Sequence, residues 1–385
     1  MRVRHGSAAV FGVFAAYGAL WGPYLALMPE VRRATGAGEA QYGAALLVGA
    51  LATLPTMFVA GRLVDRWGRR MVPIFMIGFA VLATAPPFAG SVPELFVAVT
   101  LFGCGSGACN VVAVALASAV EAGSGERIMN RAHALFPVGL LTCSLLTGAV
   151  RTAGISAEVV VVGFNSAVAA SVLLWGRTAL PVSFAPAGRS RDGRRGGWRG
   201  LGRAALPFCA LAALALVVES GVQQWSAVFL TDVVRAPVGL SAAAPGVFAA
   251  AMALGRFGGH WLSGRASDRT VLLASGGLAA FGVLALAAAG GPASALAATA
   301  MVGAAISVAP PTAYGLIGRG AAPENRGAVL GSSTSLASIG LLLGPALVGW
   351  FAAWLDLRTA IAGLALVAFV VSLLALNVPS RSEHP

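Results

Sequence analysis

The sequence contains no lysine, and charged residues of every kind make up only 10% of its 385 positions. A soluble domain carries about a quarter charged residues, so too few are present to clothe a water-facing globule of this size. Cysteine is scarce as well. Cys104, Cys109, Cys143 and Cys209 each fall inside an apolar run, and no pair has the spacing of a metal site. Neither a disulfide framework nor a bound metal is expected from them. The chain also lacks a phosphate-binding Gly-Lys-Ser/Thr loop and any nucleophile–base pairing, so ATP-driven pumping and enzymatic chemistry have no footing, and no cofactor is expected. The formal net charge of +12 comes from 26 arginines. In a soluble protein that excess would point to nucleic acid. Here nearly all of it sits in short loops between apolar runs, so its expected partner is the lipid headgroup layer, not nucleic acid.

What the chain has in abundance is apolar sequence, 58% of all positions. A helix that spans a bilayer needs roughly 20 mostly apolar residues, and such runs recur throughout. Six fall in the first half, at 8–28, 43–60, 71–89, 95–118, 132–150 and 159–176. Six more fall in the second, at 204–228, 242–262, 271–289, 293–316, 328–350 and 358–377. The first run has a basic start like a signal peptide, but it is long for one and no small-residue cleavage site follows it. The expected class is all-α: a polytopic membrane protein of twelve transmembrane helices in two six-helix bundles. The expected division is 1–177, an Arg/Gly-rich linker at 178–203, and 204–385. That linker has only Asp192 as a counter-charge and cannot bury a core.

Twelve spans place both termini on one side of the membrane. On that side the segments hold 20 arginines, against five on the other, with Arg256 inside a span. The positive-inside bias puts both termini in the cytoplasm, and the expected location is the cytoplasmic (inner) membrane.

A short repeat links the two halves. Gly61-Arg62-Leu63-Val64-Asp65-Arg66 follows span two, and Gly264-Arg265-Ala266-Ser267-Asp268-Arg269 follows span eight, at an offset of 203. Four of the six positions agree. The fuller stretch from Gly61 through Trp67, Gly68, Arg69 and Arg70 closely resembles the loop signature of the major facilitator superfamily. The second copy is degenerate, since Thr270 is not followed by glycine and a basic pair. Pro323-Glu324-Asn325-Arg326-Gly327 resembles another cytoplasmic turn of that family, and Glu219 with Trp225 to Leu230 and Ala253 to Gly258 is similar to a poorly characterised bacterial permease branch. The resemblance covers essentially the whole chain. Independently of it, Gly61 would let two helices approach, and Asp65 would accept from Arg66 or Arg69. Glu324 and Arg326 would supply partners from the other half, and Gly68, Gly264, Asp268 and Arg269 complete the two loops. Together these form a candidate gating latch; the alternative is a solvated topology signal, because exposed ion pairs are worth only about 0–1 kcal/mol.

Ionisable groups inside a membrane are costly, so each asks for a role. Glu219 is the clear case, 15 residues into span seven and about 22 Å from its start at 1.5 Å per residue. Gln223 and Ser226 share its helical face. Span one carries Tyr17, Trp21 and Tyr24 with the same spacing, at an offset of 202. The resemblance implies that spans one, four, seven and ten line a central cavity, which makes both stripes candidates for contact with solute or proton. Asn110 in span four and Ser307 and Tyr314 in span ten join them. The plainer reading makes Asn110 interhelical glue, the aromatics packing, and Glu219 a protonated acid held by a neighbouring helix. Pro310-Pro311 should interrupt span ten, and Gly103, Gly105 and Gly107 suggest tight packing of span four.

The expected function is secondary transport of a small organic solute by alternating access, coupled to protons, by a protein expected to be a monomer. A drug or secondary-metabolite exporter is the alternative in the same class, though span four lacks the arginine many proton-coupled drug exporters carry. A membrane receptor or scaffold that kept the fold is the alternative in another class.

Overall fold

The structure is a computed structural model that describes residues 2–124, 128–176, 205–262, 265–322 and 325–378. Every regular element among them is a helix. In chain order these are α1 (Arg2–Thr35), α2 (Glu39–Trp67), α3 (Met71–Leu82), α4 (Val92–Ser124), α5 (Met129–Thr152), α6 (Ala157–Gly176) and α7 (Leu206–Asp232). They continue with α8 (Val238–Leu262), α9 (Asp268–Ala287), α10 (Pro292–Ile306), α11 (Ala309–Gly320), α12 (Arg326–Ala337), α13 (Ile339–Trp354) and α14 (Leu357–Ala375).

The described residues form 11 stretches long and apolar enough to cross a membrane. One of them, Glu39–Phe88, is 50 residues long, more than twice the roughly 20 a bilayer requires. It divides where α2 ends in a 3-10 turn at Gly68–Arg70. There Gly68 adopts a φ of 57°, a left-handed conformation that a side chain would strain. The described residues therefore hold twelve spans. Several helices outrun the apolar runs that announce them: α1 continues to Thr35 through Glu30, Arg32 and Arg33, because backbone hydrogen bonding does not stop where the lipid does. The tenth span breaks at Ser307 and Val308, and Pro310 and Pro311 open the new helix α11, where their missing N–H groups cost nothing.

Two compact units emerge from the contacts. One takes in the helices up to α6 together with Leu230–Asp232 and Ala236–Ala249; the other takes in α7 up to Phe229, Val233–Arg235 and the described chain from Ala250 onward. The linker at 178–203 lies outside the described residues.

Within the first unit, α1 and α5 meet backbone to backbone: a Cβ at Gly139 would collide with the Ala15 carbonyl oxygen. Gly103 of α4 sits in the same way against Gly49 of α2. Within the second unit the arrangement recurs, with Gly340 of α13 against Ala213 of α7 and Gly255 of α8 against Ala304 of α10. Lipid offers no hydrophobic drive to bring helices together, so small residues that let backbones touch supply the packing. The expected tight packing of α4 is present at all three glycines, since Gly105 abuts Phe79 and Gly107 abuts Thr53. Facing the other way, Leu174, Leu254, Leu366 and Trp354 are each about two-thirds or more exposed, an apolar exterior that suits hydrocarbon rather than water.

Candidate functional site

The second unit places Glu219 on α7, about 20 Å along the helix from its first residue Leu206 at 1.5 Å per residue. Its side chain is only 10% exposed, and the nearest positive charge is the Arg256 guanidinium of α8, at 3.8 Å. Among the described residues, Glu219 Oε2 is buried with no hydrogen-bond partner. Gln223 is half-buried one turn further on. Ser226 is buried, but its hydroxyl donates to the Gln223 carbonyl oxygen at 3.2 Å and so serves its own helix instead of the acid. Tyr314 of α11 is half-buried and lies within electrostatic reach of Glu219. Ser307 is buried and donates to the Ala304 carbonyl oxygen at 3.0 Å, at the break between α10 and α11. Of the candidates on this unit, Glu219 is paired with Arg256 and acts electrostatically on Tyr314; the sequence showed Arg256 as a basic residue in a span without its partner.

In the first unit the aromatic stripe of α1 packs into a cluster. Tyr24 stacks on Phe102 with ring centroids 3.6 Å apart and planes 13° apart. Trp21 meets Phe102 edge-on at 4.9 Å, and Tyr17 lies 5.0 Å from Phe136. Tyr17 and Tyr24 are buried and Trp21 is half-buried. The Tyr17 hydroxyl is paired with Ser106 Oγ of α4 at 2.9 Å. Asn110, one turn beyond Ser106, is half-buried. Stacking surface is thus present, but it is largely occupied by other rings.

The first unit also holds charge that sequence reasoning did not single out. Arg32 of α1 pairs with Glu39 of α2 and with Asp232 at the end of α7, the latter at 2.6 Å. Arg151 of α5 pairs with Glu30 of α1 at 2.6 Å. Asp232 and Glu30 lie 200 and 121 residues from their arginines, so these pairs leave no local pattern to read.

The repeated loops differ from expectation. A Cβ at Gly61 would meet nothing within 4 Å among the described residues, so no helix is drawn close there. Asp65 is exposed and has no ion pair among the described residues. The neighbouring arginines turn to rings instead, Arg62 over Phe58 at 4.1 Å and Arg66 near Trp67 at 5.7 Å. In water an aromatic face competes well with a carboxylate for a guanidinium, because the exposed ion pair gains little. Arg69 lies in the 3-10 turn with Gly68. In the second copy, Asp268 opens α9 and pairs with Arg319 at the end of α11, a partner not foreseen; Arg269 is half-buried beside it. Arg326 opens α12 and is exposed. Gly264 and Glu324 lie outside the described residues.

Comparison with known proteins settles what kind of molecule this architecture belongs to. The Major Facilitator Superfamily profile matches residues 9–331 and, overlapping, 268–385.

The chain belongs to the major facilitator superfamily.

It is 27% identical over 367 residues to an uncharacterized MFS-type transporter of Yersinia pestis, covering 92% of this chain and 90% of that one. It is 30% identical over 273 residues to an uncharacterized transporter of Sinorhizobium fredii, covering 69% and 70% of the two chains. Among solved structures, a mutant of the nucleoside transporter NupG matches with a TM-score of 0.82 at 13% identity, covering 96% of this chain and 99% of that one. The fucose:proton symporter FucP of E. coli matches with a TM-score of 0.60 at 17% identity, covering 96% and 97%. At such identities these likenesses concern the fold alone. This superfamily member is accordingly a multi-pass membrane transporter rather than an enzyme, and its twelve spans in two bundles are the major facilitator fold.

Proposed function

We propose that the transporter moves a small organic solute across the cytoplasmic membrane by alternating access, with Glu219 carrying a coupled proton. The observation that carries this reading is the carboxyl itself: nine-tenths buried within a span, one oxygen without a hydrogen-bond partner among the described residues, and a guanidinium 3.8 Å away that can take up its charge. An acid so placed is costly to keep charged and unpaired, and a proton relieves that cost as the protein changes its access. The arginine bias supports cytoplasmic termini. The Asp268–Arg319 pair supports a latch on that same face, made and broken as access alternates, which Asp65 would join in another state.

The solute is best found by thermal shift on the purified protein, since a binder stabilises the folded state by mass action. In proteoliposomes, that solute should accumulate under an imposed pH gradient and leak back when a protonophore dissipates it. Accumulation that survives the protonophore would remove proton coupling from the account.

A further inference from the structure

We infer that Arg256 is the binding point for a small solute bearing a carboxylate, and that Glu219 admits this solute by taking up a proton and releasing the Arg256 guanidinium. The inference names the solute class for the proposed transport reading and rests on it for the movement of the bound anion.

The pair is poorly satisfied as it stands. The nitrogen-to-oxygen separation of 3.8 Å is beyond hydrogen-bond range. Among the described residues, Glu219 Oε2 is buried with no hydrogen-bond partner, and Glu219 is the only ion-pair partner of Arg256. A guanidinium has five N–H donors in a planar fork, and among the described residues its one ion-pair contact here is long. Beneath it α8 is closely packed, because Cβ atoms at Gly255 and Gly259 would collide with Ala304 and Val308.

The Glu219 side chain is 10% exposed and that of Arg256 is 51%. Of the two, the arginine is the more accessible group and the one we take to meet the solute. A guanidinium fork matches a carboxylate with two parallel hydrogen bonds, so the fitting ligand is an organic anion and not a cation or a neutral sugar. While Glu219 is ionised, an incoming carboxylate would have to share one guanidinium with a second negative charge, which disfavours it. A proton on Glu219 removes that charge and leaves the fork to the solute. Loss of the proton restores the internal pair and expels the anion. Among the described residues, the groups that act electrostatically on Glu219 are Arg256 from α8 and Tyr314 from α11. An un-ionised phenol adds no charge, so the exchange lies between the acid, the arginine and the ligand.

The test is modification of Arg256 by phenylglyoxal in the full-length purified protein, followed by peptide mapping. Acetate and benzoate serve as probes, with acetamide and benzamide as their uncharged counterparts. At acid pH the carboxylates should slow modification of Arg256 roughly tenfold, the size of one charge-assisted hydrogen bond, and the amides should not. At alkaline pH the protection should vanish in the parent and persist in Glu219→Gln. If neither carboxylate protects at any pH, if the amides protect equally, or if protection in the parent ignores pH, the inference falls. The pH arm in the parent stands even if the variant does not fold. A pH-driven transporter of a neutral solute with an unprotected Arg256 would keep the transport reading and sink this one. Protection by carboxylates without any proton-driven movement of solute would do the reverse.

Discussion

Arg32, near the end of α1, donates to the Asp232 carboxylate at the end of α7, 200 residues later, at 2.6 Å. The same guanidinium also pairs with Glu39 of α2, so one cation holds two acids. Both ion pairs are less than a third exposed, which lifts them above the surface pairs that contribute nothing measurable.

Removing Arg32 should therefore cost more than removing either acid, because it leaves Glu39 and Asp232 facing each other. Asp232→Asn is expected to lower stability by about 1 kcal/mol, and Arg32→Gln by about 2 kcal/mol. Chemical unfolding in detergent measures both, and the double variant gives their coupling. Additive losses would mean the contact does not stabilise the fold.

Tyr17 is expected to act through Ser106. Tyr17→Phe leaves the buried Ser106 hydroxyl without its partner and should cost about 1–3 kcal/mol. Adding Ser106→Ala should recover part of that loss, since two apolar groups then face each other. Turnover should change little in the double variant. A collapse of turnover with unchanged stability would instead place Tyr17 in contact with the solute.

Two helical glycines should behave in opposite ways. Gly340→Ala drives a methyl into the Ala213 carbonyl oxygen and should destabilise by about 1–3 kcal/mol, as overpacking does. Gly61→Ala meets nothing within 4 Å among the described residues and should be neutral or stabilising by up to about 1 kcal/mol, through helix propensity. Thermal unfolding of the two variants side by side decides the matter.

The apolar runs were legible because the bilayer fixes their length, and the glycine contacts because helices in lipid need small residues where they touch. A glycine shows only that another helix is permitted to come close; at Gly61 none among the described residues does. The stripe of Tyr17, Trp21 and Tyr24 was readable as one helical face. That Phe102 and Phe136 fill the space before it was not, because the rings come from α4 and α5. Glu219 stood out as an acid in an apolar run, whereas its partner Arg256 could be found only through the crossing of α7 and α8.

The two loops should differ in their dependence on charge. Asp268 already pairs with Arg319, so Asp268→Asn and Arg319→Gln should impair transport to a similar degree and not additively. Asp65→Asn should slow turnover while leaving solute affinity within a few-fold, if Asp65 acts only in another state of access. Solute binding and uptake rates, measured on the same preparations, separate these effects. An Asp65 variant with unchanged turnover would return its loop to a topology signal.

Glu219→Gln tests proton coupling most directly because it keeps the shape and removes the titrating group. Reconstituted in proteoliposomes, the variant should still exchange labelled for unlabelled solute across the membrane, yet fail to accumulate solute under an inward pH gradient that drives the parent. Accumulation equal to that of the parent under the same gradient would contradict the assignment of Glu219 as the coupling site.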